Sequence, residues 1–159
     1  MKTMLLTILL CCIAGCGTAK TVVLDAPQIH DRYASISIIA RNPTVDVPSN
    51  VTTIFEGELR KRLYDSNLFS RGTKLNLIYT FISHDEGNRF ARWFWGGIGN
   101  SGEGSVTVMV QYLGENETEL AKTQVEGRIG SGFFGGSLND AIKKSAQDIA
   151  EYTINNFRK

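Results

Sequence analysis

Three stretches in the second half of the chain alternate apolar and polar side chains with period two. Leu75, Leu77, Tyr79 and Phe81 share one face of the first, and Val106, Val108, Val110 and Tyr112 one face of the second. Ala121, Thr123, Val125, Gly127 and Ile129 do so in the third, with Lys122, Gln124, Glu126 and Arg128 opposite. Each therefore reads as a strand with one buried face and one face in water. Gly114-Glu115-Asn116-Glu117 joins the second to the third as a hairpin loop, so an antiparallel meander is the economical arrangement. Upstream, Thr21 to Leu24 and Ser35 to Ala40 are short β-rich runs, the latter stopped by Asn42-Pro43. The period lengthens twice. From about Asn50 to Asp65, Val51, Ile54, Phe55, Leu59 and Leu63 recur at helical spacing behind a Ser49 N-cap, while Glu56 with Arg60 and Glu58 with Arg62 form i,i+4 pairs on the other face. From Ser137 to Phe157, Leu138, Ala141, Ile142, Ala146, Ile149, Thr153 and Phe157 line a stripe, and Ser137 with Asp140 has the form of a capping box. The pattern predicts an α+β domain: a mainly antiparallel sheet of about five strands with two amphipathic helices packed on one face.

The start of the chain follows neither period. Lys2 provides a positive charge, and Met4 to Ile13 is an almost unbroken apolar run, the length of a signal-peptide core and too short to span a bilayer. The run ends in Ile13-Ala14-Gly15-Cys16, which resembles the lipobox of bacterial lipoproteins. The resemblance implies cleavage before Cys16, a diacylglycerol on its sulfur and an acyl group on its amine. It divides the chain into a signal peptide (1–15), a lipidated Cys with a short tether (16–20) and one domain (21–159). Three acyl chains anchor stably without a transmembrane helix. By the same resemblance, Gly17 in place of an Asp implies transport to the outer membrane, with the domain facing the periplasm.

Composition changes meaning once the signal is removed. The 159 residues carry 17 basic and 16 acidic side chains, and losing Lys2 leaves 16 against 16. A balanced domain has no field for drawing in nucleic acid. Cys11 and Cys12 leave with the signal, so Cys16 is the only cysteine left and no intrachain disulfide is possible. The fold must rest on its own apolar core, which a domain of this size can supply.

Two glycine windows stand apart. Gly97-Ile98-Gly99-Asn100-Ser101-Gly102 and Gly130-Ser131-Gly132-Phe133-Phe134-Gly135 both satisfy G-x-G-x-x-G. The first runs into a strand and offers no helix N-terminus to a pyrophosphate; the second lacks the parallel strand that a dinucleotide unit requires after its helix. No nucleotide is expected, and no cofactor other than the lipid on Cys16. Both Trp residues of the chain, Trp93 and Trp95, and Phe90, Phe94, Phe133 and Phe134 lie in or beside these windows. A hairpin between 104 and 130 puts both windows at one end of the sheet. Arg92, Trp93, Phe94, Trp95, Phe133 and Phe134 then form either a satellite core or an exposed patch, rimmed by Arg89, Arg92 and Arg128, for lipid or a partner protein.

The segment from Arg89 to the final helix, with its Gly-x-Gly loop before a valine-rich strand, its hairpin and Gly135-Gly136 ahead of Ser137-Leu138, resembles a family of bacterial lipoproteins catalogued as domain of unknown function 4410. The resemblance spans roughly residues 20–157. It implies an envelope lipoprotein and brings no reaction with it. Catalytic chemistry is thin in the residues themselves. His84-Asp85-Glu86 ends a strand, where neighbours point to opposite faces and do not converge without a bend; His30 also sits in a polar stretch. No metal site is expected. The sequence favours an outer-membrane-anchored periplasmic lipoprotein acting as a non-catalytic accessory to an envelope protein partner. The alternative is a periplasmic small-ligand binder or hydrolase using a cleft near the glycine loops and His84.

Overall fold

A computed structural model describes residues 18–27, 31–85, 104–129 and 137–159. The lipobox residues Ile13, Ala14, Gly15 and Cys16, His30, and the aromatic residues Trp93, Phe94, Trp95, Phe133 and Phe134 with Arg89 and Arg92 lie outside the described residues.

The chain is α+β. Six strands, β1 (Thr18–Asp25), β2 (Ser35–Ala40), β3 (Ser70–Arg71), β4 (Leu75–Asp85), β5 (Ser105–Gly114) and β6 (Glu119–Arg128), form one sheet in the order β1-β6-β5-β4-β2-β3. Two helices, α1 (Ser49–Arg60) and α2 (Leu138–Phe157), complete the described fold, and α1 runs on through a π-helical turn at Lys61–Asp65.

The expected meander is present: β4, β5 and β6 pair antiparallel in sequence order, and β1 adds antiparallel to β6. The sheet is nevertheless mixed and has six strands instead of about five. β2 runs parallel to β4, with Ile36 opposite Leu75 and Ile38 opposite Leu77. The reason is the connection, because α1 lies between the two strands and returns the chain to the end from which β2 started. β3 is the strand the apolar pattern does not reveal. Its two exposed residues are held by backbone bonds at Ser70 and just beyond Arg71, Ser70 N–H to Ala34 O at 2.9 Å and Gly72 N–H to Ile36 O at 3.2 Å.

One face of the sheet carries the core. Leu75, Leu77, Tyr79 and Phe81, then Val106, Val108, Val110 and Tyr112, then Ala121, Thr123 and Val125 are buried beneath the helices. From α1, Phe55 packs its ring 4.9 Å from Tyr79 and 5.2 Å from Phe81, centroid to centroid. From α2, Phe157 stacks on Tyr112 at 4.8 Å. Removing this much apolar and aromatic surface from water is the main stabilising term for a domain without a disulfide. The opposite face has no helix over it among the described residues. Lys122, Gln124 and Gln111 stand on it beside half-buried Ile78 and Met109.

The two helix starts differ. Ser137 caps α2 as expected: its Oγ accepts from the Asp140 N–H at 3.2 Å, and the Asp140 carboxylate accepts from the Ser137 N–H at 2.9 Å. The α1 N-cap is Pro48, not Ser49, and it has no side-chain cap; Ser49 is the first helical residue, and its carbonyl accepts from the Thr52 and Thr53 hydroxyls. The two expected ion pairs on α1 form, Arg60 to Glu56 at 3.3 Å and Arg62 to Glu58 at 2.6 Å.

Candidate functional site

The strand register defines the end of the sheet from which the glycine windows leave. Thr18 of β1 lies opposite Arg128 of β6, Arg128 opposite Ser105 of β5, and Ser105 opposite Asp85 of β4. These four residues form one row across four strands. It contains the first described residue of β1, two residues after Cys16, and the residues beside which segments 86–103 and 130–136 depart. The Ile129 N–H donates to Gly104 O at 2.9 Å, which extends the β5–β6 ladder to the last described residues at this end. Arg128 Nε lies 2.9 Å from the Glu126 carboxylate.

The start of α2 belongs to the same end. A Cβ placed on Gly127 would stand 2.6 Å from Ala141 O and 2.3 Å from Ser145 Oγ, so the first turns of α2 cross directly over the last residues of β6. Only a glycine admits that approach. The first helical turn carries Asp140, whose carboxyl is held below the ordinary carboxylate range by bonds from the Ser137 backbone and hydroxyl.

His84 lies close by, on the other face from its neighbour Asp85. A β-bulge between Phe81 and Ser83 shifts the register, placing His84 opposite Val106, which is buried in the core, and Asp85 opposite Ser105. The bend that the sequence left open therefore turns His84 towards the helix side and leaves Asp85 facing away. Glu86 lies outside the described residues.

A separate groove of about 510 Å³ lies between the end of α1 and the middle of α2. Leu68, Ala150 and Ile154 provide its apolar lining, and Glu58, Lys61, Arg62 and Glu151 its charged lining. His84 takes no part in it. Two phenols are tied into the core instead. Tyr79 donates to the Glu56 carboxylate, and the Tyr112 and Thr153 hydroxyls pair at 3.1 Å. Burial holds both phenols above the ordinary tyrosine pKa of 10.0, and for Tyr79 the bond to Glu56 adds to the shift. These groups serve the core and face no described opening. No described helix is long and apolar enough to cross a membrane.

Comparison with protein-family models and with curated proteins gives no match. Solved structures do match. A single-substitution variant of the PelC dodecamer from Paraburkholderia phytofirmans superposes with a TM-score of 0.52 at 13% identity, covering 90% of this chain and 99% of that one. A second crystal form of the PelC dodecamer from the same organism gives 0.49 at 12% identity over the same shares. The first likeness shows a shared fold.

Proposed function

We propose that this chain is a lipoprotein held on the periplasmic side of the outer membrane by the lipid on Cys16, where it acts as a non-catalytic accessory to an envelope assembly. The carrying observation is the row Asp85–Ser105–Arg128–Thr18, because residues flanking both aromatic glycine windows share a sheet end with the start of β1. With only Gly17 between Cys16 and Thr18, at about 3.3–3.6 Å per residue, that end is held near the bilayer surface. Aromatic side chains suit that depth, since a Trp or Phe ring partitions into the headgroup region, and an arginine beside them pairs with anionic headgroups. Arg92, Trp93, Phe94, Trp95, Phe133 and Phe134 are the residues assigned to this contact. The structural relative with a TM-score of 0.52 is a dodecamer, which supports self-association as a further property of the anchored domain.

The anchor is tested by replacing Cys16 with Ala in cells fed a labelled fatty acid. Label incorporation and sedimentation with membranes should both be lost, and continued labelling would refute the assignment. The aromatic contact is tested separately by Trp93→Ser with Trp95→Ser, which should keep the acyl label while the domain becomes more readily displaced from vesicles after proteolytic release of the anchor. A folded double variant with unchanged vesicle association would remove the windows from the account.

A further inference from the structure

The two edges of the sheet carry the exposed apolar side chains. Among the described residues, the exposed large hydrophobics are Val22, Val23 and Leu24 on β1, 42, 47 and 50% exposed, and Ile39 on β2, 42% exposed. Among the described strands, β1 has a neighbour on one side only. β2 is covered on its outer side by β3 at Ser35 and Ile36 alone, so no described strand lies beside Ser37–Ala40 there. Natural sheet edges usually carry proline, frequent charges or a covering element; β1 has no Pro from Thr18 to Asp25, and Lys20 is its sole charge before Asp25. Val22 lies opposite Gln124, and Ile39 opposite Ile78, whose ladder continues through Gln111 to Lys122. Both exposed residues therefore project from the same helix-free face.

Strand direction selects the mode of joining. β1 is antiparallel to β6, β6 to β5, and β5 to β4, while β4 is parallel to β2, so β1 and β2 run in opposite directions at the two edges. A two-fold β1-to-β1 pairing in antiparallel register would invert one copy and put the two Cys16 anchors at opposite ends of the joint. A two-fold axis along the strands would turn the same backbone donors of both copies towards each other, which no parallel ladder permits. Joining β1 of one copy to β2 of the next is antiparallel, keeps the helix layers on one side and leaves every Thr18 at the same end.

We propose that β1 is the docking edge for a second copy of this chain, received head-to-tail on the Ser37–Ala40 edge of β2, so that successive copies extend one sheet. This rests on the lipid-anchor reading, which fixes the copies side by side in one plane and raises their effective concentration. Lipid is not the occupant of this edge. Val22 to Leu24 lie four to six residues along β1 from Thr18, roughly 13–20 Å from the anchored end at about 3.3 Å per residue. Repetition of a head-to-tail contact closes into a ring when the rotation per copy permits.

The full-length acylated protein tests this through Val22→Cys and Ile39→Cys, oxidised in intact envelopes and resolved without reductant. The double variant should give a ladder of covalent multiples, each single variant only monomer, and the two singles expressed together one dimer. Dimers from Val22→Cys alone would mean a two-fold contact and overturn the proposal, as would a lack of crosslinks in every combination. Quenching by brominated lipid of a fluorophore coupled to the thiol of the Val22→Cys variant would overturn it too, since the strand would then be in the bilayer. Fatty-acid labelling of the same preparations separates failure of the anchor from failure of the edge contact.

Discussion

Gly127 and Ala141 hold β6 and α2 closer together than any side chain at position 127 would allow: a Cβ there would stand 2.6 Å from the Ala141 carbonyl oxygen. The neighbouring Ser145 Oγ, 2.3 Å from the same point, is buried and bonded to Ala141 O at 3.0 Å. Gly127→Val therefore has to push the helix off the sheet. The expected loss is about 1–3 kcal/mol by the usual cost of overpacking, read as a lower denaturation midpoint in urea. Gly57 provides the opposite case. It is an exposed helical glycine with nothing within 4 Å of its Cβ position, so Gly57→Ala should raise stability by about 0.5–1 kcal/mol.

Asp140 links helix start to pH. Its folded pKa is depressed by the Ser137 backbone and hydroxyl, so its contribution is present above the unfolded value and fades as pH falls through the lower folded one. Thermal unfolding between pH 7 and 2 should show a loss in wild type below about pH 4 that is smaller in Asp140→Ala. The same variant keeps the Ser137 cap but loses the carboxylate at the helix start, so it should be weaker at pH 7 by about 0.3–1 kcal/mol. Equal pH profiles for the two proteins would contradict the assignment.

At the alkaline end the sign reverses. Tyr79 and Tyr112 resist ionisation in the fold because burial raises both phenols above 10.0, whereas the unfolded chain ionises them there. Their contribution is complete below about pH 10 and lost as pH rises beyond it. The melting temperature should fall steeply above pH 10, and Tyr79→Phe should flatten part of that fall. Tyr79→Phe also leaves the half-buried Glu56 carboxylate without its phenol donor, costing about 1.5–3 kcal/mol at neutral pH as measured by urea unfolding.

Much of this architecture was legible where one face packs and the other meets water. β4, β5, β6 and α2 announce themselves by period, because Leu75 to Phe81 and Ala141 to Phe157 must all reach one core. The parallel step was not legible, since Ser35 to Ala40 looks the same in either direction and only its pairing with Leu75 to Tyr79 fixes it. Thr18, Ala19 and Lys20 became strand through the ladder to Glu126, Gly127 and Arg128, not through any apolar pattern of their own. Ser145 escaped the apolar count of α2 although it is fully buried, because closeness to Gly127 selects for small size there, not for hydrophobicity. At the candidate site, the shared sheet end followed from the hairpin between 104 and 130, whereas the bulge that turns His84 to the core face left no mark in the residue pattern.

The chain's two tryptophans, Trp93 and Trp95, lie in one aromatic window, so intrinsic tryptophan emission reports on that window alone. The most direct measurement is the emission of the full-length acylated protein in phospholipid vesicles with and without brominated acyl chains. The expected result is a blue-shifted emission that brominated lipid quenches strongly. Emission indifferent to bromination, from protein that remains attached through Cys16, would contradict it.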